Sequence, residues 1–340
     1  MIPTPDNTPL RGGQTLRWGV LAPGGIANDF VTTLHANTEQ RVAAVGSRSV
    51  DRAAAFAATH GIDRSYGSYG ELVADPGIDI VYIAAPHSEH LALALLAIGA
   101  GKHVLIEKPI ALNAAQAREI ARAARAAGVF AMEAMWSRFL PQTSVVAHLL
   151  ENGTLGDILT VTADFGSRFE PDPQARILNP VLGGGALLDL GVYPAWFAHF
   201  VLGAPVTVTA TGSLAATGVD DQAAVILDYG ERHPKAQAVL TTSMLVDTPV
   251  TATISGTLGR IEYTGMFVSP SSFRLVLPGR EPVAWTDPSG LVWRDGLCYQ
   301  ATAVAEHIAV GLTESPLHSL DDSIAVLEVL DSARAQLGAA

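Results

Sequence analysis

The chain has 340 residues, 49% of them hydrophobic, with 33 acidic against 21 basic side chains and a formal net charge of -12. That balance argues against a nucleic-acid partner or an anionic membrane surface, and the length allows two domains. One cysteine, Cys298, excludes an internal disulfide and fits a reducing, cytoplasmic setting.

Residues 1–14 are rich in Pro, Thr and Gly, lack a basic start and an apolar run, and read as a flexible tail rather than a signal peptide. Apolar stretches are broken by Gly or charge short of the roughly 18 residues of a membrane span. Leu16–Leu21 reads as a strand, turned into a helix by Ala22-Pro23-Gly24-Gly25-Ile26-Ala27. The turn is a variant of the dinucleotide fingerprint G-x-G-x-x-G/A, with Ala22 for the first Gly. Gly24 lets the backbone approach a pyrophosphate and Ala27 allows close helix–strand packing, while amides at the helix start, over Gly24, Gly25 and Ile26, would hold the phosphates. Alone, the same residues also describe an ordinary tight turn.

Arg41–Gly46 is a second strand at βαβ spacing, and it ends in Ser47-Arg48-Ser49 with no acid at its tip. A carboxylate there would repel a 2′-phosphate, whereas the Ser47 hydroxyl and Arg48 guanidinium would bind one, so the position favours NADP over NAD. Arg48 has a plainer reading as a solvated surface arginine, and Asp51 reads as a first-turn partner of the helix dipole. Ser49 caps a helix from Val50 to Thr59 that Gly61 ends, and Tyr69–Val73 is a short helical piece. Asp79–Ala85 is a strand running into Pro86-His87-Ser88-Glu89-His90, followed by an apolar helix, Leu91–Ile98. His87 and His90 read either as capping and packing residues or as site residues beside a cofactor; no metal site is expected, because no Cys or carboxylate cluster joins them.

His103–Lys108 is the strand around which the chain is arranged. Its apolar run Val104-Leu105-Ile106 ends in Glu107-Lys108-Pro109. Ligands bind beyond the carboxyl ends of strands in open α/β sheets, which puts Lys108 where a cofactor and a substrate meet. A helix over 113–127 and a strand, Val129–Ala134, follow, then Met135-Trp136-Ser137-Arg138-Phe139. Strands alternating with helices in this way predict a doubly wound α/β sheet over 15–138.

From Ile158 the period changes to two, with Leu159, Val161, Ala163 and Phe165 on one face. Strands recur over 206–210, 223–229, 236–244, 250–255, 258–263 and 273–277, with a hairpin turn at Ser255-Gly256-Thr257. One main helix is expected from about Gly185 to Leu202, with terminal helices over 302–311 and 319–337, the last capped by Ser319. Residues 139–340 thus read as a second, sheet-rich α/β domain. Asp189 and Tyr193, four apart, share one helix face. Arg168, Arg176 and Asn179 lie in a polar loop that could close over a polyol or stay on the surface. Arg138 and Trp136 follow directly from a sheet strand and are the stronger candidates; Trp136 either stacks on a ring or wedges between domains.

These residues carry a resemblance. Arg17-Trp18-Gly19-Val20 with the Gly24/Ala27 turn, Gly46-Ser47-Arg48, Ala85-Pro86-His87-Ser88-Glu89-His90, Glu107-Lys108-Pro109, Met132–Phe139 and Gly183–Pro194 are similar to motifs of the Gfo/Idh/MocA oxidoreductase family. Within it the chain most resembles the dimeric dihydrodiol dehydrogenases and NADP-dependent sugar oxidoreductases. The resemblance covers the chain from Leu16 onward. It implies a Rossmann domain followed by an α/β domain with a large, open, mostly antiparallel sheet. It also implies NAD(H) or NADP(H), hydride transfer, and dimers or tetramers formed through that sheet. Lys108 is implied to contact the nicotinamide ribose and the substrate hydroxyl, with Asp189 and Tyr193 completing the catalytic set. Ala85, Pro86, His87, His90, Glu107, Trp136 and Arg138 join the fingerprint residues and Ser47-Arg48 around the cofactor. Departures from the family pattern are Ala22 for Gly, His87 where Asn is frequent, and Tyr193 in place of His.

Removing a hydroxyl proton needs a base, and a phenol with a pKa of about 10 is a poor one near neutrality unless an ammonium lowers it. Lys108 and Tyr193 are therefore expected to work as a pair, on a secondary alcohol or ketone of a sugar, cyclic polyol or dihydrodiol. A non-catalytic NADP(H) sensor and an NAD-dependent redox glycosidase are the alternative readings.

Overall fold

The computed structural model describes residues 2–6, 10–11, 13–172 and 174–340. The tail expected over 1–14 falls partly on Met1, Asn7–Pro9 and Gly12, outside the described residues. The chain forms two compact units, one made of residues 7–139 together with Trp293–Ser323, the other of residues 1–6, Leu140–Val292 and Ile324–Ala340.

The first unit contains β1 (Arg17–Leu21), α1 (Gly25–Asn37), β2 (Arg41–Gly46), α2 (Val50–His60), β3 (Arg64–Tyr66), α3 (Tyr69–Ala74), β4 (Ile80–Ile83), α4 (His90–Gly99), β5 (His103–Glu107), α5 (Ala114–Ala127) and β6 (Ala131–Ala134). Its six strands are all parallel, in the order β3-β2-β1-β4-β5-β6. This is the expected doubly wound sheet. Helices cover both faces of such a sheet, so β4 and β6 are buried at every position; β4 reads as a continuous apolar run, and β6 is apolar but for Glu133. Trp18, Phe30 and Tyr82 are fully buried, with ring centroids 5.6 Å (Trp18–Phe30) and 4.0 Å (Phe30–Tyr82) apart. Each such side chain contributes roughly 2–3 kcal/mol through burial. Asn113 accepts from the Gln116 amide to start α5, and Gly128 ends it in the left-handed region. The three-residue edge strand β3 escapes a reading by alternation because it is too short to show a period.

The second unit contains α6 (Pro141–Glu151), β7 (Ile158–Gly166), α7 (Val192–Leu202), β8 (Thr207–Leu214), β9 (Asp220–Asp228), β10 (Gln237–Ser243), β11 (Ala252–Gly256), β12 (Gly259–Tyr263), β13 (Ser272–Val276) and β14 (Val283–Thr286). These strands form one sheet in the order β14-β13-β12-β11-β7-β10-β9-β8. Only β7 and β10 pair in parallel; every other neighbour is antiparallel. In β9, Ala223, Val225 and Leu227 point inward while Gln222, Ile226 and Asp228 are exposed, the period-two pattern of a half-buried sheet. The stretch Pro180–Leu202 is long and apolar enough to cross a membrane by composition, but 78% of its most apolar window is buried in the fold, so it is a core helix.

The chain end departs from the expected division. Helix α8 (Leu297–Ala309) starts earlier than Thr302, packs on α1, and belongs with the first sheet rather than with residues 139–292. The Ala131 amide donates to the Thr313 carbonyl at 3.0 Å, and Arg125 pairs with Glu314 at 3.0 Å, so β6 and α5 hold this returning segment. Helix α9 (Leu320–Leu337) carries Asp321 and Asp322 in its first turn, and Ser319 Oγ accepts from the Asp322 amide, as the sequence predicts.

Ala22 takes φ +62° in the turn after β1. A left-handed alanine is strained by about 1–2 kcal/mol, more than the 0.5–1 kcal/mol that glycine loses through its flexible unfolded state. Ala22→Gly is therefore expected to stabilise the protein by about 0.5–1 kcal/mol, read as a higher urea midpoint at unchanged slope. A lower midpoint would show that the turn is unstrained.

Candidate active site

In the first unit, strand order reverses between β1 and β4, which opens a crevice at their carboxyl ends. The amide of Ala22 donates to the Gly46 carbonyl at 3.1 Å, and that of Ala84 donates to Leu21 at 3.1 Å, so the three strand ends are laced together. Helix α1 starts from an extended Gly24 with no side-chain cap and no acid in its first turn. A Cβ on Gly25 would meet nothing within 4 Å, and one on Gly24 only the Ala22 carbonyl oxygen at 3.9 Å. Gly24 and Gly25 are exposed, and Ala27 is fully buried against the sheet. Uncapped amides facing open space are what a pyrophosphate requires, so these residues fit a dinucleotide.

At the tip of β2, Ser47 is buried and its Oγ accepts from the Ser49 amide at 3.2 Å, while Arg48 is exposed. Ser49 caps α2 through the Arg52 amide, and Asp51 occupies the first turn of that helix. No acid stands at the strand tip itself.

At the ends of β4 and β5 the burial is more severe. Ala85 and Pro86 lead into a 3-10 turn at His87–Glu89, with His87 buried and its ring 5.6 Å from that of His90. His90 has no exposed surface, and its Nε2 and Nδ1 each lie 2.9 Å from a carbonyl oxygen, those of Ala85 and Pro109. It therefore stands behind the cofactor crevice, joining the loops after β4 and β5, rather than in contact with a ligand. Glu107 is likewise buried. Its Oε1 accepts from the Tyr82 hydroxyl at 2.5 Å and its Oε2 from the Lys108 amide at 3.2 Å. Burial pushes the Glu107 carboxyl above the usual range, opposed by the Tyr82 hydrogen bond and the Lys108 charge. Lys108 itself is half-buried and precedes a cis peptide to Pro109.

Trp136 and Arg138 are placed differently from expectation. Trp136 is 5% exposed in the 3-10 turn Trp136–Phe139, which leaves little ring face for stacking. Arg138 Nε donates to the Leu317 carbonyl at 2.8 Å and so ties the returning segment to the end of β6.

In the second unit, Asp189 lies in a widened π turn, Leu187–Gly191, that continues as α7, where a regular helix was expected. Such turns recur at functional sites because they re-aim side chains. The glycines before it are required by close packing: a Cβ on Gly184 would sit 2.5 Å from the Ile177 carbonyl oxygen, and one on Gly185 (φ +122°) 2.5 Å from Asp220 Oδ1. Asp189 Oδ1 accepts from Arg176 Nη2 at 2.9 Å, and the Tyr193 ring packs on Phe165 at 5.4 Å. Asp189 and Tyr193 are both buried and Arg176 is partly exposed. Of the loop residues, Arg176 thus reaches the site. Asn179 caps the short turn Pro180–Leu182, and the Arg168 amide is held by Asp247. Tyr82 carries no site signal in the sequence beyond a hydroxyl inside an apolar strand, and Arg176 none beyond its place in a polar loop. Among the described residues no group of three His, Cys, Asp or Glu side chains could hold a metal ion.

The parallel sheet and open helix start define a dinucleotide-binding fold. Residues 16–135 match the model of the oxidoreductase family with an NAD-binding Rossmann fold, and residues 144–262 match the GFO/IDH/MocA C-terminal domain. The chain belongs to the Gfo/Idh/MocA oxidoreductase family. The trans-1,2-dihydrobenzene-1,2-diol dehydrogenase of Xenopus laevis is 39% identical over 330 residues, covering 95% of this chain and 98% of the relative. The human protein of that name is 36% identical over 337 residues, covering 96% and 98%. Among solved structures, an aldose-aldose oxidoreductase from Caulobacter crescentus superposes with a TM-score of 0.84 at 26% identity over 95% of this chain and 98% of its own. A 3-ketoreductase from Actinomadura kijaniata, in complex with NADP and TDP-benzene, does so at 0.79 and 28%, covering 95% and 98%. The protein is accordingly a dehydrogenase or reductase acting on CH–OH groups with a nicotinamide cofactor.

Burial holds the His90 imidazole below its ordinary value of 6.5, despite the two carbonyls and Glu133 favouring the charged form. A histidine depressed in the folded state contributes stability that is present above the ordinary value and lost as pH falls through the folded one. The stability advantage of wild type over His90→Gln, which does not titrate, is expected to be largest above pH 6.5 and to shrink below it, with a slope of at most about 1.4 kcal/mol per pH unit. Urea titrations of both proteins between pH 5 and 8 give the comparison; a constant difference would mean that His90 is not held neutral.

Proposed function

We propose that the protein is an NADP-dependent oxidoreductase that moves a hydride between nicotinamide and a secondary alcohol or ketone of a sugar, cyclic polyol or dihydrodiol, with Lys108 and Tyr193 handling the proton. The observation that carries this reading is Lys108 at the carboxyl end of β5, braced by the buried Glu107. The names of the relatives support the substrate class: a cyclic diol for the dehydrogenases, aldoses and a 3-keto group for the solved structures.

The bound nicotinamide supplies or takes the hydride. The chain's own residues manage the rest. The Lys108 ammonium stabilises a developing alkoxide and favours the phenolate of Tyr193, which takes the hydroxyl proton in oxidation and returns it in reduction. Asp189, oriented by Arg176, accepts from a neighbouring substrate hydroxyl. At the tip of β2, Ser47 and Arg48 take the 2′-phosphate; the ketoreductase structure with NADP supports that choice.

Lys108→Met and Tyr193→Phe are each expected to lower kcat by about 10²–10⁴-fold, measured as NADPH absorbance with a panel of sugars and dihydrodiols. Turnover within a few-fold of wild type in Lys108→Met would overturn the role given to that residue. Arg48→Ala is expected to raise the NADPH dissociation constant by roughly 10–100-fold, the loss of one charge-assisted contact, and to leave NADH unaffected. Equal affinities before and after the change would place the phosphate elsewhere.

The large sheet also supports a homodimer or homotetramer through its exposed face. That face carries Thr162, Ile226, Thr241, Arg260 and Arg274, all exposed, with Ile226 the apolar residue among them. Light scattering of Ile226→Lys should show a smaller particle than wild type; identical masses would exclude this face.

A further inference from the structure

Three consecutive residues at the end of β5 are held from the inside by buried ionisable side chains of different elements. Glu107 Oε2 accepts from the Lys108 amide at 3.2 Å, and the His90 ring lies 2.9 Å from the Pro109 carbonyl oxygen. Glu133 Oε1, from β6, accepts from the Ile110 amide at 2.8 Å. Glu133 is 1% exposed in an otherwise apolar strand, and its other oxygen lies 3.0 Å from His318 Nε2. Ser323 Oγ lies 3.1 Å from the same nitrogen, and His318 is 3% exposed. His318 and Ser323, just before and within the first turn of α9, thus both meet Glu133 on the last strand β6, and Glu133 carries the contact to one backbone amide, two residues beyond Lys108.

A carboxylate buried in the last strand of a parallel sheet is costly unless it is paired and fully hydrogen-bonded. Burial alone would push Glu133 up. The hydrogen bond and charge of His318, with Ser323 and the Ile110 amide, outweigh it and hold the carboxyl below its usual range. Ile110 is fully buried, so without Glu133 its amide would have no water to turn to. The bond that results is charge-assisted, about twice as strong as a neutral one, and directional.

We propose that Glu133, backed by His318, and His90 are positioning residues for Lys108: by fixing the Ile110 amide and the Pro109 carbonyl they fix the Cα of the lysine, from which its long stem reaches the reacting atoms. The inference rests on the reading of Lys108 given above. Neither Glu133 nor His90 touches substrate or cofactor. Their effect is on where the amine sits, and a misplacement of about 1 Å costs about 10²-fold in rate.

The test compares Glu133→Gln, Glu133→Leu and His90→Leu. Glutamine keeps an oxygen for the Ile110 amide and an NH₂ for His318, so kcat is expected to stay within about threefold of wild type, whereas either leucine variant lowers kcat by about 10²-fold with the NADPH dissociation constant nearly unchanged. An assay independent of turnover follows Lys108 directly: acetylation by acetic anhydride across pH, read by peptide mass spectrometry, should show a displaced Lys108 midpoint in the leucine variants and the wild-type midpoint in Glu133→Gln. A folded leucine variant with unchanged kcat and unchanged Lys108 labelling would overturn the proposal, as would equal losses in Glu133→Gln and Glu133→Leu. Lys108→Met separates the two levels. If it retains turnover, the reading of the site falls while the labelling still decides the positioning; if it is inactive and the leucine variants are not impaired, only the positioning falls. Should neither leucine variant fold, hydrogen exchange of the wild-type peptide 108–112 decides: protection equal to that of β5 supports the anchor, and exchange at the rate of an exposed loop overturns it.

Discussion

The hydrogen bond from the Tyr82 hydroxyl to Glu107 Oε1 is the constraint on which the first unit depends. Glu107 stands at the last position of a strand whose other core residues are Val104, Leu105 and Ile106, all fully buried. A carboxylate there has lost its water and is pushed toward the neutral form. Three groups compensate: the Tyr82 hydroxyl, the Lys108 amide, and the positive charge of Lys108. The first comes from the neighbouring strand β4, because the parallel register sets Tyr82 beside Leu105 and Ile83 beside Ile106. Tyr82 can point its hydroxyl there because its ring is stacked on Phe30 of α1. The helix that starts the dinucleotide site and the strand that ends in Lys108 are therefore joined by one aromatic stack and one short hydrogen bond. A shift of either element disturbs both.

The cofactor side of the unit works by a different principle. Few side chains at the start of α1 reach outward; backbone amides are what this end offers, and what the sequence must supply is the absence of obstruction. Gly24 and Gly25 leave the space open, and Ala27 brings the helix down onto the sheet. Ala22 is the exception, a residue with a Cβ in a left-handed turn that glycine fills more easily. The Ala22 amide donates to Gly46 at 3.1 Å, so the turn is stitched to the strand that carries Ser47 and Arg48. The glycine turn and the Ser47-Arg48 tip are thus mechanically linked through β1 and β2.

How much of this could be read from the residues depended on whether the signal was local. The parallel sheet was legible because βαβ units repeat strand, glycine or cap, and amphipathic helix at short range. The Ser49, Asn113 and Ser319 caps show the same locality. The edge strands β3 and β14 were not legible: each has three or four residues and buries too little to impose a pattern. The π turn at Leu187–Gly191 was hidden for another reason, since an inserted residue in an all-apolar helix leaves the hydrophobic period undisturbed. Long-range pairings were invisible in principle. Nothing around Trp293–Ser323 marks it as a partner of α1 and β6, which is why a boundary drawn at residue 138 assigned the whole chain end to the second unit. Arg138 outranked Arg176 on proximity to a strand, yet the carbonyl of Leu317 claims the first and the carboxylate of Asp189 the second. His90 had the right address and the wrong exposure.

Both units present their key side chains from backbone braced by a buried carboxylate, and the two braces differ in electrostatic character. In the first, Glu133 meets His318 and is held below the usual carboxylate range, so it is a charged acceptor. In the second, Asp220 accepts from the Leu187 amide at 2.6 Å at the start of the turn that carries Asp189, and its other oxygen faces Gly185. Burial pushes Asp220 up, with Arg334 only a secondary counterweight. A carboxyl that needs close approach rather than charge can be served by a glycine, and Gly185 supplies the room at φ +122°. One that must hold a single amide in a dry sheet needs a hydrogen-bonding partner such as His318 beside it. The sequence consequence is concrete: the first brace requires a distant histidine from the returning chain end, whereas the second requires only the local run Gly183-Gly184-Gly185. The glycine run is visible within the motif Gly183–Pro194, whereas Glu133 reads as one more residue of a buried strand.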